Sequence, residues 1–483
     1  MSTDLLLDTK MEMFKKYLDH TGMEHKQYQY DGVRWCLNNE LRENPPANVR
    51  GGFVADEMGL GKTIMMIGLM YCHFVPRTLI ILPPILIDQW FLQIYKTTGH
   101  KSLIYHGENK KTTTLEQLST AKIVIATYGA ITITKEHKQQ KTLTLLHHIK
   151  WSRIIFDEAH HLRNKGTTRY FGARLLQSNI RWLVSGTPVQ NKRDDFYALC
   201  AQLRMPASFY TNNDNLMLLA RSFILKRTKK QVGIHIADLN VENNVVKWGS
   251  PKEKSLAEEL HSALSFSRVS SEKGIGKLIV NAFRDKGILS LMLRAKQSCI
   301  YPKLITNALN KLNINYNSYK EAFDYNSKLN AVIDTILERK NNGNGKLVFC
   351  HFREEIDEIA TKLNIGGIQK IATFDGRTSY NKRFEILNQK NEVLILQIQT
   401  GCEGLNLQEN YNEIYFVAPH WNPAVEDQAI ARCHRIGQTK PVYVKRFHMS
   451  DFDTYDTLPT ITIDQYIKNT QECKRIVASE IVN

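Results

Sequence analysis

No Cys-x-x-Cys pair occurs anywhere in the sequence. Its eight cysteines (Cys36, Cys72, Cys200, Cys299, Cys350, Cys402, Cys433 and Cys473) are dispersed, which excludes a zinc module of the usual spacing and predicts reduced thiols in an intracellular compartment. His160-His161 and Cys433-His434 are adjacent pairs whose side chains diverge on a strand or helix, so no metal cluster is expected from them. No stretch approaches the ~20 consecutive apolar residues of a membrane span. The start, MSTDLLLDTKMEMFKKYLDH, lacks the basic beginning and apolar stretch of a secretion signal, so a protein neither secreted nor membrane-bound is expected. A repeat of solenoid period is missing too. Nor is there an excess of acid: 64 Lys and Arg stand against 48 Asp and Glu, a net charge of +16. That balance excludes an acidic disordered scaffold and favours polyanionic partners, nucleic acid first.

The 483 residues, 42% of them apolar, suffice for two or three domains with their own cores. Residues 101–150 carry eight basic groups against three acidic, and residues 201–320 nineteen against eight; these two segments hold the whole surplus. They read either as a track for a polyanion or as a solvated lysine-rich surface. Within the second segment, Lys226, Arg227, Lys229 and Lys230 are the residues expected to hold a DNA backbone.

Short runs rich in Ile, Val and Leu recur, each closed by a polar or glycine turn and followed by a helix-like stretch, as buried parallel strands do. GFVA (52–55), TLIIL (78–82), KIVIA (122–126), RIIF (153–156) and WLVS (182–185) form one set. KLVFC (346–350), KIATF (370–374), VLILQ (393–397), EIYFV (413–417) and VYVKRF (442–447) form another. Two α/β sheets are implied, with a region of helical spacing between them. The expected boundaries are an N-terminal extension 1–22, a first lobe 23–232, a helical insertion 233–325, a second lobe 326–458 and a closing helix 459–483.

Three local patterns carry chemistry. In GGFVADEMGLGKTIMMIGLM a strand leads through a glycine-containing turn into a helix; backbone N–H groups there can face a polyphosphate, Lys62 can reach the β- and γ-phosphates, and the Thr63 hydroxyl can hold Mg²⁺. The strict pattern has glycine five residues before Gly61, where Asp56 stands, and a turn that only packs is the bland alternative. In WSRIIFDEAHHLRN an apolar strand ends in Asp157-Glu158. One carboxylate can bind Mg²⁺ while its neighbour activates water; a capped strand end is the other reading. In DQAIARCHRIGQ, Arg432 and Arg435 lie three apart, as on one helix face, suited to the charge on a transferring phosphate or to an ordinary surface.

Eleven segments in order, QYQYDGVRW, ADEMGLGKT, LIILPPILIDQW, IVIATYGA, FDEAHHLRN, SGTPVQN, SFILKRTKKQV, KLVFCHF, FDGRTS, TGCEGLNL and DQAIARCHRIGQ, resemble the motif set of the Swi/Snf family of ATPase motors, DEAH-type members of helicase superfamily two. The resemblance covers residues 25–475 and is strongest to the branch containing RING-bearing DNA-damage-tolerance proteins and transcription-release ATPases. It implies two RecA-like lobes with a helical insertion. ATP would be bound by Gln29, reading adenine, by the loop Asp56, Glu57, Met58, Gly59, Leu60 and Gly61 with Lys62 and Thr63, and by Gly404 and Gln428 of the second lobe. Lys62, Asp157, Glu158, Arg432 and Arg435 would be catalytic, Thr63 and Asp157 would hold Mg²⁺, and Ser185, Gly186 and Thr187 would couple hydrolysis to movement. The implied partner is double-stranded DNA, with DNA-bound proteins or the transcription machinery beyond it, and the implied setting is the nucleus or wherever viral or cellular DNA is kept. The implied output is chromatin remodelling or another displacement of DNA-bound proteins; a strand-separating helicase, a transcription elongation or termination ATPase, or a DNA-binding scaffold without catalysis are the alternatives. Gly401-Cys402 replaces the usual Gly-Gly. No RING ligand set is present, and the motifs use nearly the whole length, so a minimal, virus-like motor is expected.

Overall fold

A computed structural model describes residues 3–133, 143–186, 193–267, 275–284, 286–401, 405–453 and 460–482. The chain divides into two compact units, residues 1–235 with 475–483, and residues 236–474.

The first unit is built on a wholly parallel sheet of β1 (Arg50–Val54), β2 (Thr78–Leu82), β3 (Leu103–Tyr105), β4 (Ile123–Thr127), β5 (Lys150–Asp157), β6 (Gln177–Val184) and β7 (Ile224–Leu225) in the order 3-4-2-5-6-1-7. β2 and β4 are buried along their full length, which is why they read as unbroken apolar runs. One face carries Phe53, Leu79, Ile81, Ile154 and Phe156 in its core; the other carries Ile80, Leu82, Ile155 and Trp182 against helices α1 (Thr3–Thr21), α2 (Gln27–Leu41), α3 (Lys62–Cys72) and α4 (Ile87–Thr98). The expected N-terminal extension is therefore part of this core: Met11, Phe14 and Leu18 of α1 are buried, and a Cβ on Gly68 of α3 would lie 2.3 Å from the Phe14 ring. Only the smallest residue lets the two helices approach so closely.

At the start of β5, Arg153 is fully buried and forks onto Glu40 of α2, at 2.6 Å from Nε and 2.5 Å from Nη2. Trp182 Nε1 donates to the same carboxylate at 2.8 Å, and His73 Nδ1 lies 2.6 Å from it. Burial alone would raise the Glu40 carboxyl, but Arg153 and His73 hold it down to about 2.

The second unit has a parallel sheet in the order 10-11-9-12-13-8: β8 (Leu239–Val246), β9 (Lys346–Cys350), β10 (Ile371–Phe374), β11 (Val393–Gln397), β12 (Glu413–Phe416) and β13 (Val442–Met449). β8 falls inside the stretch expected to be helical. LNVENNVV has too few apolar positions to read as a buried strand, and as an edge strand on β13 it is mostly exposed. The helices Pro251–His261, Ile275–Arg284, Ile288–Ile300 and Lys303–Lys311 bury Leu256, Ile279, Phe283, Leu291 and Ile305 together with Met449 of β13 and Ile463 and Ile467 of the last helix. The insertion thus shares its core with the second sheet. The last helix runs Ile463–Val482, and Gln471 and Lys474 on it donate to the backbone carbonyls of His420 and Trp421.

Among the described residues, seven cysteines are free thiols, no group of three His, Cys, Asp or Glu side chains could hold a metal, and no helix is long and apolar enough to cross a membrane.

Candidate nucleotide site

β1 ends at Val54, and residues 55–61 turn into α3, which begins at Lys62. Gly59 (φ 92°) and Gly61 (φ 77°) both take the left-handed conformation. At Gly61 a Cβ would also lie 2.5 Å from Gln29 Nε2, so conformation and neighbour together demand glycine. Gly61 caps α3 with no side-chain acceptor, and the first N–H groups of a helix have no intrahelical partner. That is the arrangement a phosphate requires. Lys62 Nζ donates to the carbonyls of Asp56 (2.8 Å) and Glu57 (3.4 Å), and Thr63 follows it in the first turn. Gln29, buried on α2, donates from Nε2 to the Leu60 carbonyl at 3.4 Å, so the residue expected to read adenine lies against the loop.

The acidic pair closes β5. Asp157 accepts the Glu158 N–H on Oδ1 (3.0 Å) and Trp90 Nε1 on Oδ2 (2.7 Å), and the Tyr128 hydroxyl donates to its carbonyl (2.7 Å). Burial and then the Glu158 charge push the Asp157 carboxyl up to about 7, against the pull of Trp90 and Lys62. Glu158 sits at φ 50°, a left-handed conformation that costs a non-glycine residue energy and turns its side chain out of the strand direction. Its Oε2 lies 3.3 Å from His160 Nδ1, which in turn lies 3.4 Å from Ser185 Oγ. A Cβ on Gly186 would stand 2.9 Å from Met58 Cγ and 3.3 Å from Lys62 Nζ. The loop, the acidic pair and the Ser185-Gly186 segment therefore meet in one place within the first unit. Thr187 lies outside the described residues.

In the second unit the geometry expected of the arginines is corrected. The helix Pro423–Ile430 ends before either of them, and residues 431–437 form turns, so Arg432 and Arg435 do not share a helix face. The reason is a tertiary contact. The Arg432 carbonyl, which a continuing helix would use for residue 436, accepts the Leu407 N–H at 3.1 Å, and Gly437 takes φ 95°. Arg432 is buried and donates from Nε to the Gln428 carbonyl (3.1 Å), while Arg435 bonds Asn406 Oδ1. Gln428 is buried on the same helix. Gly404 and Cys402 lie outside the described residues, and Gly401 ends the short helix Ile398–Gly401.

Two of the four residues expected to hold DNA are engaged inside the first unit. Arg227 pairs with Asp56, Nε to Oδ1 at 3.1 Å and Nη2 to Oδ2 at 2.5 Å, and Lys229 is buried with Nζ 3.1 Å from Glu57 Oε1. Arg227 faces the loop because Asp56 is wholly buried and needs a cation beside it, and Lys229 follows it onto the neighbouring Glu57. Lys226 and Lys230 are exposed.

Trp90 and Tyr128 go unnoticed in sequence, and His160 stands out there only as half of an adjacent histidine pair. Trp90 reads as an apolar anchor of α4; only the rule that a buried indole N–H seeks an acceptor hints at Asp157. Tyr128 bonds the distant Asp157 carbonyl, and His160, besides its near neighbour Glu158, meets the distant Ser185; nothing local signals either distant partner. The donor set fits the groups it is expected to hold: the Thr63 hydroxyl and Asp157 carboxylate are the hard oxygens Mg²⁺ takes, and the first N–H groups of α3, uncapped by any side chain at Gly61, suit a polyphosphate.

Two parallel α/β units, the first with a glycine phosphate loop and an acidic pair, define a helicase-type nucleoside triphosphatase. Residues 28–304 match the SNF2-related domain and residues 327–437 the helicase conserved C-terminal domain; the chain belongs to the SNF2-related family and is a Swi/Snf-type ATPase of helicase superfamily two. It is 28% identical to a probable global transactivator of Orgyia pseudotsugata multicapsid polyhedrosis virus, over 94% of this chain and 91% of the relative. It is 27% identical to the ISWI chromatin-remodeling complex ATPase ISW2 of Saccharomyces cerevisiae, over 87% of this chain but 38% of the relative. The chain thus spans about two-fifths of several cellular relatives. Among solved structures, the Sulfolobus solfataricus SWI2/SNF2 ATPase core in complex with dsDNA is similar over 95% of this chain and 93% of that one, at 23% identity and a TM-score of 0.39.

Proposed function

We propose that this chain is a DNA-dependent ATPase that translocates on double-stranded DNA and uses the movement to remodel or displace DNA-bound proteins. The observation that supports coupled movement best is the seating of Gly186 against Lys62 and Met58, with Ser185 linked through His160 to Glu158. A change at the phosphates would be felt at once by the Ser185-Gly186 segment, which leaves the end of β6.

In this reading Lys62 exchanges the Asp56 and Glu57 carbonyls for the β- and γ-phosphates, with the loop N–H groups around them. Thr63 and Asp157 would hold Mg²⁺, which when bound neutralises charge on the phosphate oxygens. Glu158, turned out by its left-handed backbone, orients and deprotonates the attacking water, and His160 holds its carboxylate in place. Arg432 and Arg435 are assigned to the charge on the transferring phosphate. The surplus charge, with Lys226 and Lys230 in it, holds the DNA backbone without reading bases. Action follows wherever the cognate DNA is kept, the nucleus or a site of viral DNA. The relative named as a probable global transactivator favours transcription as the process in which a chain of this length acts.

The test is displacement of a third strand from a triplex, run beside unwinding of a forked duplex. ATP-driven triplex displacement without unwinding is expected. Unwinding would transfer the chain to the strand-separating helicases, and neither activity would leave a stationary DNA-bound ATPase.

A further inference from the structure

The segment that carries the basic block is built into the phosphate loop. β7 pairs with β1 through Phe53 with Ile224 and Val54 with Leu225. The ladder then continues past both strands: Ala55 donates to the Leu225 carbonyl at 2.7 Å and Glu57 to the Arg227 carbonyl at 2.9 Å. From this register Arg227 reaches two parts of the site. Its Nε and Nη2 fork onto Asp56, while Nη1 donates to the carbonyl of Tyr28, beside Gln29, and the guanidinium lies 5.7 Å from the Tyr28 ring centre. Gly32 of α2 leaves the room, since a Cβ there would stand 2.8 Å from Nη2 and 2.6 Å from Met65 Sδ. Lys229 adds a second latch, its N–H donating to Glu57 Oε2 at 2.8 Å and its ammonium pairing with Oε1.

Asp56 stands where the strict loop pattern has glycine, and its carboxylate is fully buried. A buried carboxylate in a phosphate loop repels the ligand unless a cation neutralises it. Arg227 provides that charge and ties it, through a planar fork that lysine lacks, to the helix carrying Gln29.

We propose that Arg227 is a positioning residue of the nucleotide site, a clamp that fixes the distance between the adenine-reading helix and the phosphate loop, with Lys229 and Glu57 as its second latch. The inference rests on reading residues 55–63 and Gln29 as the ATP site. It gives the departure at Asp56 a purpose, and it moves two of the four basic residues from a DNA surface to the nucleotide.

The experiment compares Arg227→Ala, Arg227→Lys and Gln29→Ala for kcat and KM with ATP and GTP, for melting temperature, and for the salt dependence of DNA binding without nucleotide. Arg227→Ala should raise KM for ATP about tenfold with a smaller change in kcat, and should narrow the preference for ATP over GTP. Arg227→Lys keeps a charge beside Asp56 but cannot also hold the Tyr28 carbonyl. It should fold, fall between the two in KM, and carry the test if the alanine variant does not fold. The salt slope of DNA binding should stay as in the parent. Parent-like KM and nucleotide preference in Arg227→Lys and Arg227→Ala would overturn the clamp, and a slope lowered by about one would return Arg227 to the DNA. Should Gln29→Ala leave the ATP preference intact, the adenine-reading assignment fails by itself, and a raised KM in the Arg227 variants would still support the phosphate-loop half of the clamp.

Discussion

Replacing Glu40 with glutamine tests the energetics of the first unit most sharply. The carboxylate has Arg153 on two nitrogens, Trp182 on one and His73 on another, and both Glu40 and Arg153 are essentially without solvent contact. Glu40→Gln keeps the shape but leaves a buried guanidinium without a counter-charge, a change that costs about 3–5 kcal/mol. For a unit of about 240 residues each kcal/mol moves the melting temperature by about 2–4 °C, so a loss of about 6–20 °C is expected at pH 7. The unit melts with Trp90, Trp151 and Trp182 buried in it, which makes tryptophan fluorescence a suitable probe. The sign of the pH dependence follows from a depressed acid. With the carboxyl held to about 2 in the fold against 4.5 when unfolded, its contribution is complete above pH 4.5 and disappears as the pH falls from there toward 2. The parent and Glu40→Gln curves should therefore converge across that window. Adding Arg153→Met to Glu40→Gln should restore part of the loss, because the orphaned charge goes with it. A Glu40→Gln protein melting within 2 °C of the parent at pH 7 (well below the ~6 °C minimum), or a difference that persists at low pH, would refute the reasoning.

Other residues give shorter tests. Trp90→Phe removes one charge-assisted hydrogen bond to Asp157, worth about 1.5–3 kcal/mol, and should raise the Mg²⁺ concentration for half-maximal turnover about tenfold or more; an unchanged requirement would separate Trp90 from the metal site. Lys62→Ala should lower ATP turnover at least about a hundredfold while DNA binding keeps its salt dependence, and full activity would remove the phosphate-loop assignment. Neutralising the exposed Lys226 and Lys230 together should reduce the salt slope of DNA binding by about two; an unchanged slope would make them ordinary surface lysines.

All ten strands expected from apolar runs are present, eight of them within two residues at each end, because an apolar run buried on both faces is read directly; β5 and β6 start three and five residues earlier, since KWS and QSNIR form no apolar run. The three that escaped are weak for physical reasons. β3 has three residues and β7 two, and β8 is an exposed edge strand rich in asparagine. The loop and the acidic pair were legible because a phosphate site written in backbone needs glycines and a lysine at fixed spacing. Arg227 shows where such reading stops. A basic cluster in sequence points to a polyanion, whereas here two carboxylates far away in the chain, buried Asp56 and its partly exposed neighbour Glu57, claim one charge each. The arginine pair failed differently: helical spacing was right up to Ile430, and a tertiary hydrogen bond from Leu407 ended the helix.

Stimulation by duplex DNA is the defining behaviour expected of this ATPase. Steady-state ATP turnover measured without nucleic acid and with saturating duplex DNA, single-stranded DNA or RNA, in the parent and in Glu158→Gln, addresses it directly. Turnover should rise at least about tenfold with duplex DNA, rise less with the other two, and be lost in Glu158→Gln under every condition. Turnover indifferent to nucleic acid, or Glu158→Gln as active as the parent, would contradict it.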